Sequence, residues 1–418
     1  MKLAISRRWA IFIITSLLFV LSQFYRSSIA VITPQLMSDV SIDTKGLSLM
    51  SAAFFYAFAL TQIPIGIYLD RIGPRKTMTV LSLVAVIGAL IFAWANSLEM
   101  LVLGRLLLGI GMACNLMGSF KLLTLWFGPL RFATLSAFIL SLGTAGNIAA
   151  TTPLVLLVKA VYWRPAFTII AAVNLLLAII FFLVVRDRPR ETPRYPGTPE
   201  NSMNLHEILS DLYSLFAKKD YWIISIGTFC RYGVYAAVQT LWAGPYLMKA
   251  RDLSAFNAGN LILLMNIGFI LGGPFCGILS DKLLQTRKKI VIGGLVSLAA
   301  VLLSLAFLPQ KASILTLAIL FFSFGLVSSA GGVMYTHIKE LMPIEKAGAA
   351  MTGINFFTMI GSAVFLQGLG NLMQHLYPGA SLGAQAFKSA FLLCAACLAF
   401  VSFLYFFTRD TLGKDKSL

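Results

Sequence analysis

Twelve long apolar segments dominate the sequence and restrict its fold more than any other feature. The chain is 58% hydrophobic and only 12% charged, whereas about a quarter of the residues in a soluble domain are charged. Crossing a membrane takes roughly 20 apolar residues in a helix, because lipid offers no partners for backbone N–H and C=O groups. The sequence therefore predicts an all-α membrane protein with twelve transmembrane helices. The predicted spans lie at roughly 9–36, 47–69, 77–96, 99–127, 132–158, 163–185, 221–247, 255–280, 289–308, 313–341, 347–374 and 387–408.

The net charge of +17 indicates orientation in the lipid bilayer rather than binding to nucleic acid. If the N-terminus is cytoplasmic, the inner loops and tails hold most of the Lys and Arg residues. This bias predicts a multi-pass plasma (inner) membrane protein with both termini in the cytoplasm. The basic residues left for the outer loops are Lys45, Lys159, Arg164, Lys249, Arg251, Lys311 and Lys388.

The longest polar stretch separates two sets of six predicted helices. Residues 186–220 begin rich in Pro and Arg and continue with apolar residues at helical spacing, which predicts a linker with a short amphipathic helix on the membrane surface. We therefore expect an N-terminal bundle at 1–185, the linker, and a C-terminal bundle at 221–418. The loop "GIYLDRIGPRK" (66–76) is echoed by "GILSDKLLQTRKK" (277–289) after the equivalent span. Two related bundles suit alternating access to a central site.

Two motifs resemble those of the major facilitator superfamily, whose fold has two pseudo-symmetric six-helix bundles. The first inner loop resembles the signature loop of that superfamily, with Pro74 where an Arg is common. Span four, "LVLGRLLLGIGMA", resembles its second motif through Arg105 and Gly109, with Leu108 in place of the usual Gln. The resemblance implies an inner gate that latches the two halves, although for Arg71, Arg75 and Lys76 ordinary positive-inside charge is an alternative. The gate residues are Gly66, Asp70, Arg71, Gly73, Arg75, Lys76, Arg131, Gly277 and Asp281.

The charges inside the spans are all cationic. The 16 Asp and Glu residues can all be placed in loops, tails or helix ends, whereas Arg26, Arg105, Lys121 and Arg231 fall within spans. Lys121 can reach the inner surface, and the second motif accounts for Arg105. Arg26 and Arg231 lie near the middle of spans one and seven. A charge at that depth is costly and marks a functional site, and guanidinium groups suit carboxylate or phosphate.

The sequence around both arginines resembles the organophosphate:phosphate antiporters of the same superfamily. Pro34 follows Arg26 by eight residues, and "RYG" stands at 231–233. The resemblance implies that Arg26 and Arg231 bind the anion together. Gln62 and Ser27 stand where that group has Lys, so a carboxylate or sugar acid fits as well as a phosphate ester. Anion:cation symporters of the superfamily share an Arg in span one and a Tyr in span two, here Tyr56.

Other polar and aromatic residues are candidates for lining the substrate site. Arg231, Tyr235 and Gln239 share one helix face at i, i+4 and i+8. Aromatic rings with a polar tip can close on an organic substrate, although each residue could equally serve helix packing. The candidate substrate-binding residues besides the arginines are Tyr25, Tyr56, Gln62, Tyr232, Tyr235, Gln239 and Asn355.

These features predict a secondary transporter of a small organic anion, acting as a monomer. No G-x-x-x-x-G-K loop and no nucleophile–base pair is present, so we expect neither ATP hydrolysis nor an enzyme, and no cofactor. His206, His337 and His375 are not near midplane Cys or carboxylate residues, so no metal site is expected. The absence of midplane carboxylates favours anion exchange. Proton symport, with the substrate or His337 as the titrating group, remains an alternative, as does a transporter-like anion receptor that signals to a partner.

Overall fold

Every regular element that the structure describes is a helix. The computed structural model describes residues 2–127, 129–187, 218–342 and 347–412. In the first half the helices are α1 (Lys2–Ser27), α2 (Ile29–Val40), α3 (Thr44–Arg71), α4 (Pro74–Ala93), α5 (Leu98–Met112), α6 (Asn115–Phe127), α7 (Pro129–Ala149), α8 (Thr152–Val161) and α9 (Trp163–Val184). In the second half they are α10 (Lys219–Ala237), α11 (Ala255–Ile278), α12 (Lys288–Ala306), α13 (Ile314–Ser328), α14 (Gly331–Leu341), α15 (Ala347–Leu376) and α16 (Ala384–Tyr405).

A helix, or a run of consecutive helices, occupies each of the twelve predicted spans, so the prediction of an all-α membrane protein is confirmed. By length and composition, nine helices in the described ranges can cross a membrane, or ten if the bent pair Thr134–Ala149 and Thr152–Val161 is one span. Span seven continues from α10 through π-helical turns at Val238–Trp242 and Tyr246–Ala250. The predicted amphipathic helix of the linker lies outside the described residues.

Four spans are interrupted in the described part of the chain. Span one breaks between α1 and α2, span four between α5 and α6, span five between α7 and α8, and span ten between α13 and α14. A break leaves the last carbonyl groups of the first helix without partners in the same helix, and these groups carry the negative end of the helix dipole. Each break is therefore a place where a buried cation can be held.

The packing of the helices divides the chain into two compact units. The first consists of the described residues of Met1–Ser28 and Ala53–Leu205, and the second of those of Ile29–Ala52 and His206–Leu418. In the first unit α4 packs between α5 and α9, and α1 packs on α7. The division at 185 and 221 stays a prediction, because this grouping follows packing rather than the order of the spans.

The second unit includes α2 and the beginning of α3. Ala30 of α2 contacts Gly244 in span seven so closely that a Cβ at Gly244 would collide with the Ala30 carbonyl. The Thr44 hydroxyl lies 2.7 Å from that of Ser381, in the loop before α16. Within the same unit α10 packs along α15, and α11 along α13.

Candidate functional site

Arg26 lies in the last turn of α1, in the first compact unit. Its side chain is 8% exposed, and its guanidinium carbon lies 5.0 Å from the ring centre of Phe58 and 5.8 Å from that of Phe55. Both rings belong to α3, and such contacts attract a cation electrostatically. Ser27 beside it donates a hydrogen bond of 2.7 Å to the Asn147 side chain. Arg26 is therefore a buried cation against aromatic rings at the end of a broken helix.

The other polar candidates of the first unit differ in position. Gln62, one turn after Phe58 on α3, is buried and donates to the Ala113 carbonyl over 3.1 Å, at the break of span four. Tyr56 is half-buried, whereas Tyr25 is completely buried. The burial of Tyr25 places its ring in the packed interior of the unit.

Arg105 connects α5 to the end of α1. It is 1% exposed, donates to the Tyr25 carbonyl over 2.7 Å, and lies 4.7 Å from the ring centre of Phe54. One turn later Gly109 lies against the Phe54 carbonyl. In this structure the second motif thus packs α5 against α1 and α3, and Arg105 is bound to the carbonyl end of the interrupted helix.

Arg231 is the buried cation of the second unit, near the middle of α10. It is 5% exposed, and its Nη1 donates to the carbonyl of Ser328, the last residue of α13. The ring centre of Tyr232 lies 5.5 Å from its guanidinium carbon. Among the described residues Arg231 has no carboxylate within ion-pair distance, whereas the ion pairs found there join Arg287 to Asp281 and Glu340.

The residues that follow Arg231 on its helix face are packed against neighbouring helices. Tyr235 stacks on Phe269 of α11 with ring centres 4.7 Å apart. Gln239 donates to the Asn266 side chain over 3.1 Å. Both candidates are therefore held by α11 in this structure, and Tyr232 and Asn355 remain half-buried.

Tyr335, which the sequence analysis did not predict as a site residue, lies beside the candidate Asn355. Tyr335 of α14, half-buried, lies 3.5 Å from the Asn355 side chain and 3.0 Å from the Thr358 hydroxyl. Tyr335 follows the break of span ten by one helical turn. The sequence indicated this residue only through a tyrosine placed about one helical turn after the small residues "SSAGG" (328–332).

The signature loop forms its described contacts inside the first unit. Arg75 donates its backbone N–H to Asp187 over 2.7 Å and its Nε to the Phe182 carbonyl over 2.9 Å. Gly73 has a φ of 95° and lies against Asp187, so a side chain there would be strained and would collide. Arg71 and Lys76 are exposed. The side chains of Asp70 and Arg131 lie outside the described part of the structure.

The matching loop of the second unit holds a denser polar network. Arg287 pairs with Asp281 and, over 2.8 Å, with Glu340 of α14. A Cβ at Gly66 or Gly277 would meet no described atom within 4 Å, so neither gate glycine marks a close helix approach among the described residues. The structure thus joins Asp281 to a cation of its own loop.

A carboxylate after the last helix of each unit caps the third span of that unit. Asp187 follows α9 and accepts from the Arg75 N–H, and Asp410 follows α16 and accepts from the Arg287 N–H over 2.9 Å and from the Thr286 hydroxyl. Burial alone would raise the pKa of Asp410, but these hydrogen bonds lower that pKa below its usual value. We did not predict these caps, although the dipeptide Arg-Asp stands at both places.

His337 has hydrogen bonds at both ring nitrogens. Nδ1 lies 2.8 Å from the Tyr405 hydroxyl and Nε2 lies 2.7 Å from the Arg409 carbonyl. Because a carbonyl only accepts, Nε2 carries a proton, and the neutral ring then accepts from Tyr405 at Nδ1. The neutral histidine is satisfied, and it ties the segment after α16 to α14.

Comparison with known proteins identifies the family. The sequence matches the Major Facilitator Superfamily profile over residues 15–366 and 224–417. The protein named probable sulfoacetate transporter of Cupriavidus necator is 24% identical over 413 residues, covering 94% of this chain and 95% of that one. The probable galactarate/D-glucarate transporter of Bacillus subtilis is 25% identical over 391 residues, covering 85% of this chain and 84% of that one.

Comparison with solved structures identifies a similar fold. A crystal structure of a bacterial homologue of the human lysosomal transporter Spinster superposes with a TM-score of 0.77 at 18% identity, covering 96% of each chain. The expected superfamily resemblance is confirmed, as is the expectation that the protein is not an enzyme. The chain belongs to the major facilitator superfamily of membrane transporters.

Proposed function

We propose that the protein carries a small organic anion by alternating access and that Arg26 and Arg231 bind the negative charge. The observation that carries this proposal is the environment of Arg231. It is 5% exposed, and its hydrogen-bond acceptor in the described part of the chain is a backbone carbonyl rather than a carboxylate. A buried guanidinium with only a partial negative charge beside it keeps most of its capacity to bind a full anion.

The named substrates of the relatives support the same class of cargo. Sulfoacetate, galactarate and D-glucarate are all small organic anions. In this protein Phe55 and Phe58 lie beside Arg26, and Tyr232 lies beside Arg231. Aromatic faces next to a cation suit an organic anion with a carbon skeleton better than a fully hydrated inorganic one.

The proposal includes anion exchange as the mode of coupling and both termini in the cytoplasm. His337, the histidine considered for proton transfer, is satisfied as a neutral ring by Tyr405 and the Arg409 carbonyl. Both ring nitrogens are engaged by these two partners, which favours a structural role for His337 over proton transfer. Exchange needs no titrating group, because the counter-anion itself neutralises the arginines.

Uptake into proteoliposomes tests the proposal. Protein reconstituted alone would be supplied with labelled sulfoacetate, D-glucarate, D-glucuronate or glucose 6-phosphate, with and without the same anion inside. We expect uptake of at least one anion that depends on internal anion and ignores a pH gradient. Uptake driven by a pH gradient without internal anion would contradict exchange, and absence of flux with any anion would contradict transport of this class.

Two variants test the arginines. Arg26→Ala and Arg231→Ala should each weaken binding of the transported anion by about 10- to 100-fold, the range for losing hydrogen bonds to a charged group. Exposed Arg8→Ala serves as the control and should bind as the wild type does. Folded variants that bind normally would remove the substituted arginine from the site.

A further inference from the structure

The break in span ten exposes a backbone carbonyl in the second compact unit. The chain turns tightly between α13 and α14, and Gly332 donates to the Ser329 carbonyl, three residues back, at 3.0 Å. A continuous α-helix would instead direct that N–H to the carbonyl of Ser328, four residues back. The Ser328 carbonyl thus stands at the C-terminal, partly negative end of α13, where it accepts from Arg231.

The guanidinium of Arg231 fills the space that a side chain at position 331 would take. A Cβ at Gly331 would collide with Cζ, Nε and Nη2 of Arg231. The neighbouring Gly332 is different, because a Cβ there would meet nothing within 4 Å, and Gly332 lines a cavity of about 150 Å³. The two adjacent glycines therefore differ in what an added side chain would meet, and Gly331 makes room for Arg231.

We propose that Gly331 is a positioning residue that lets Arg231 dock on the carbonyl end of α13 and so fixes the direction of its remaining N–H groups. The inference rests on the proposed function in one respect, namely that these N–H groups bind the anion. The guanidinium has five N–H donors, and its Nε has no hydrogen-bond partner among the described residues. Docking through Nη1 leaves donors for a substrate while the helix end compensates the charge.

This arrangement also couples anion binding at Arg231 to the packing of the interrupted span ten. A helix end offers about half a unit of negative charge, so a full anion competes well for the guanidinium. Anion binding to Arg231 therefore changes how firmly α13 and α14 are held to α10. Gly331 is the residue whose size decides whether this docking can occur.

A double-mutant cycle on the purified full chain tests the docking without any ligand. Gly331→Ala should lower Tm by about 5 °C when Arg231 is present, because the added methyl group displaces the buried guanidinium from the Ser328 carbonyl. In an Arg231→Ala background the same change should leave Tm almost unaltered, since the colliding group is gone. Gly332→Ala should leave Tm unaltered in both backgrounds. An equal loss in both backgrounds would overturn the proposal, because Gly331 would then serve the turn and not Arg231.

Binding of sulfoacetate and D-glucarate to the same variants tests the positioning role. Gly331→Ala should weaken binding on the order of tenfold or more, and Gly332→Ala should not. Wild-type affinity in folded Gly331→Ala would overturn the positioning role. If the wild type binds none of the four anions of the uptake assay, the proposed cargo fails, and the Tm cycle still decides whether Gly331 makes room for Arg231.

Discussion

Asp410 should stabilise the second compact unit by capping α12. Its carboxylate accepts from the Arg287 N–H over 2.9 Å and from the Thr286 hydroxyl, directly before the first residue of α12. Loss of an N-terminal cap costs about 0.5–2 kcal/mol, and loss of a negative charge at a helix N-terminus about 0.3–1 kcal/mol. Asp410→Ala should therefore lower the free energy of unfolding by about 2 kcal/mol. For a unit of this size Tm should fall by about 6 °C.

The effect should depend on pH in a defined direction. Burial would raise the pKa of Asp410, but the hydrogen bonds outweigh it and hold the pKa below its usual value. A lowered carboxyl pKa stabilises the fold above the unfolded pKa, about 4, and this stability disappears as pH falls through the folded pKa. The difference between wild type and Asp410→Ala should thus be full near neutral pH and shrink below about pH 4.

Thermal unfolding in detergent over a series of pH values measures both effects. Asp410→Asn keeps the shape and one accepting oxygen, which can still cap the Arg287 N–H, but it loses the charge and the second acceptor, which serves the Thr286 hydroxyl. Its Tm should therefore fall between those of wild type and Asp410→Ala. Equal Tm for Asp410→Ala and wild type at neutral pH would refute the cap. A difference that persists unchanged to about pH 3 would refute the role of the ionised carboxylate.

Two further predictions separate structural from transport roles. Arg105→Met should cost about 1.5–3 kcal/mol of stability, because it removes a charged hydrogen bond and leaves the Tyr25 carbonyl only the longer bond from the Ser28 hydroxyl, while anion affinity of the folded fraction stays unchanged; weaker binding at equal stability would place Arg105 in the site. His337→Gln should retain transport and its pH profile, since Gln can also donate to the Arg409 carbonyl; a changed pH profile of uptake in proteoliposomes would instead make His337 the coupling group.

The spans and the two buried arginines could be predicted from sequence because they follow from local composition. A membrane-length apolar run must be helical, and a lone cation inside one is costly enough to be noticed. The docking partner of Arg231 could not be predicted in the same way. Arg231 contacts Ser328 and Gly331, which lie about 100 residues further along the chain, so these residues meet only in the folded unit.

The caps formed by Asp187 and Asp410 could not be predicted from the sequence for a different reason. The Arg-Asp dipeptides at 186–187 and 409–410 were visible in the sequence, as were the matching loops at 66–76 and 277–289. Nothing in either pattern says that Asp187 reaches back to Arg75, or Asp410 to Arg287, because each contact joins the sixth span of a half to its third. Comparison of the two halves shows that the dipeptides match, and only the folded structure shows what their carboxylates contact.

Both compact units hold an arginine at the carbonyl end of an interrupted helix. The span that supplies the arginine in one unit corresponds to the span that is interrupted in the other. In the first unit Arg105 of span four binds the carbonyl of Tyr25 at the end of α1 in span one. In the second, Arg231 of span seven, the counterpart of span one, binds the carbonyl of Ser328 at the end of α13 in span ten. Because a helix end stabilises a cation without neutralising it, this arrangement lets each unit bury an arginine and keep its charge. The two arginines also have different surroundings. Arg105 is enclosed between α1 and α3, whereas Arg231 lies beside the half-buried ring of Tyr232. If Arg231 binds the anion as proposed, the second unit uses for transport the device that the first uses for packing.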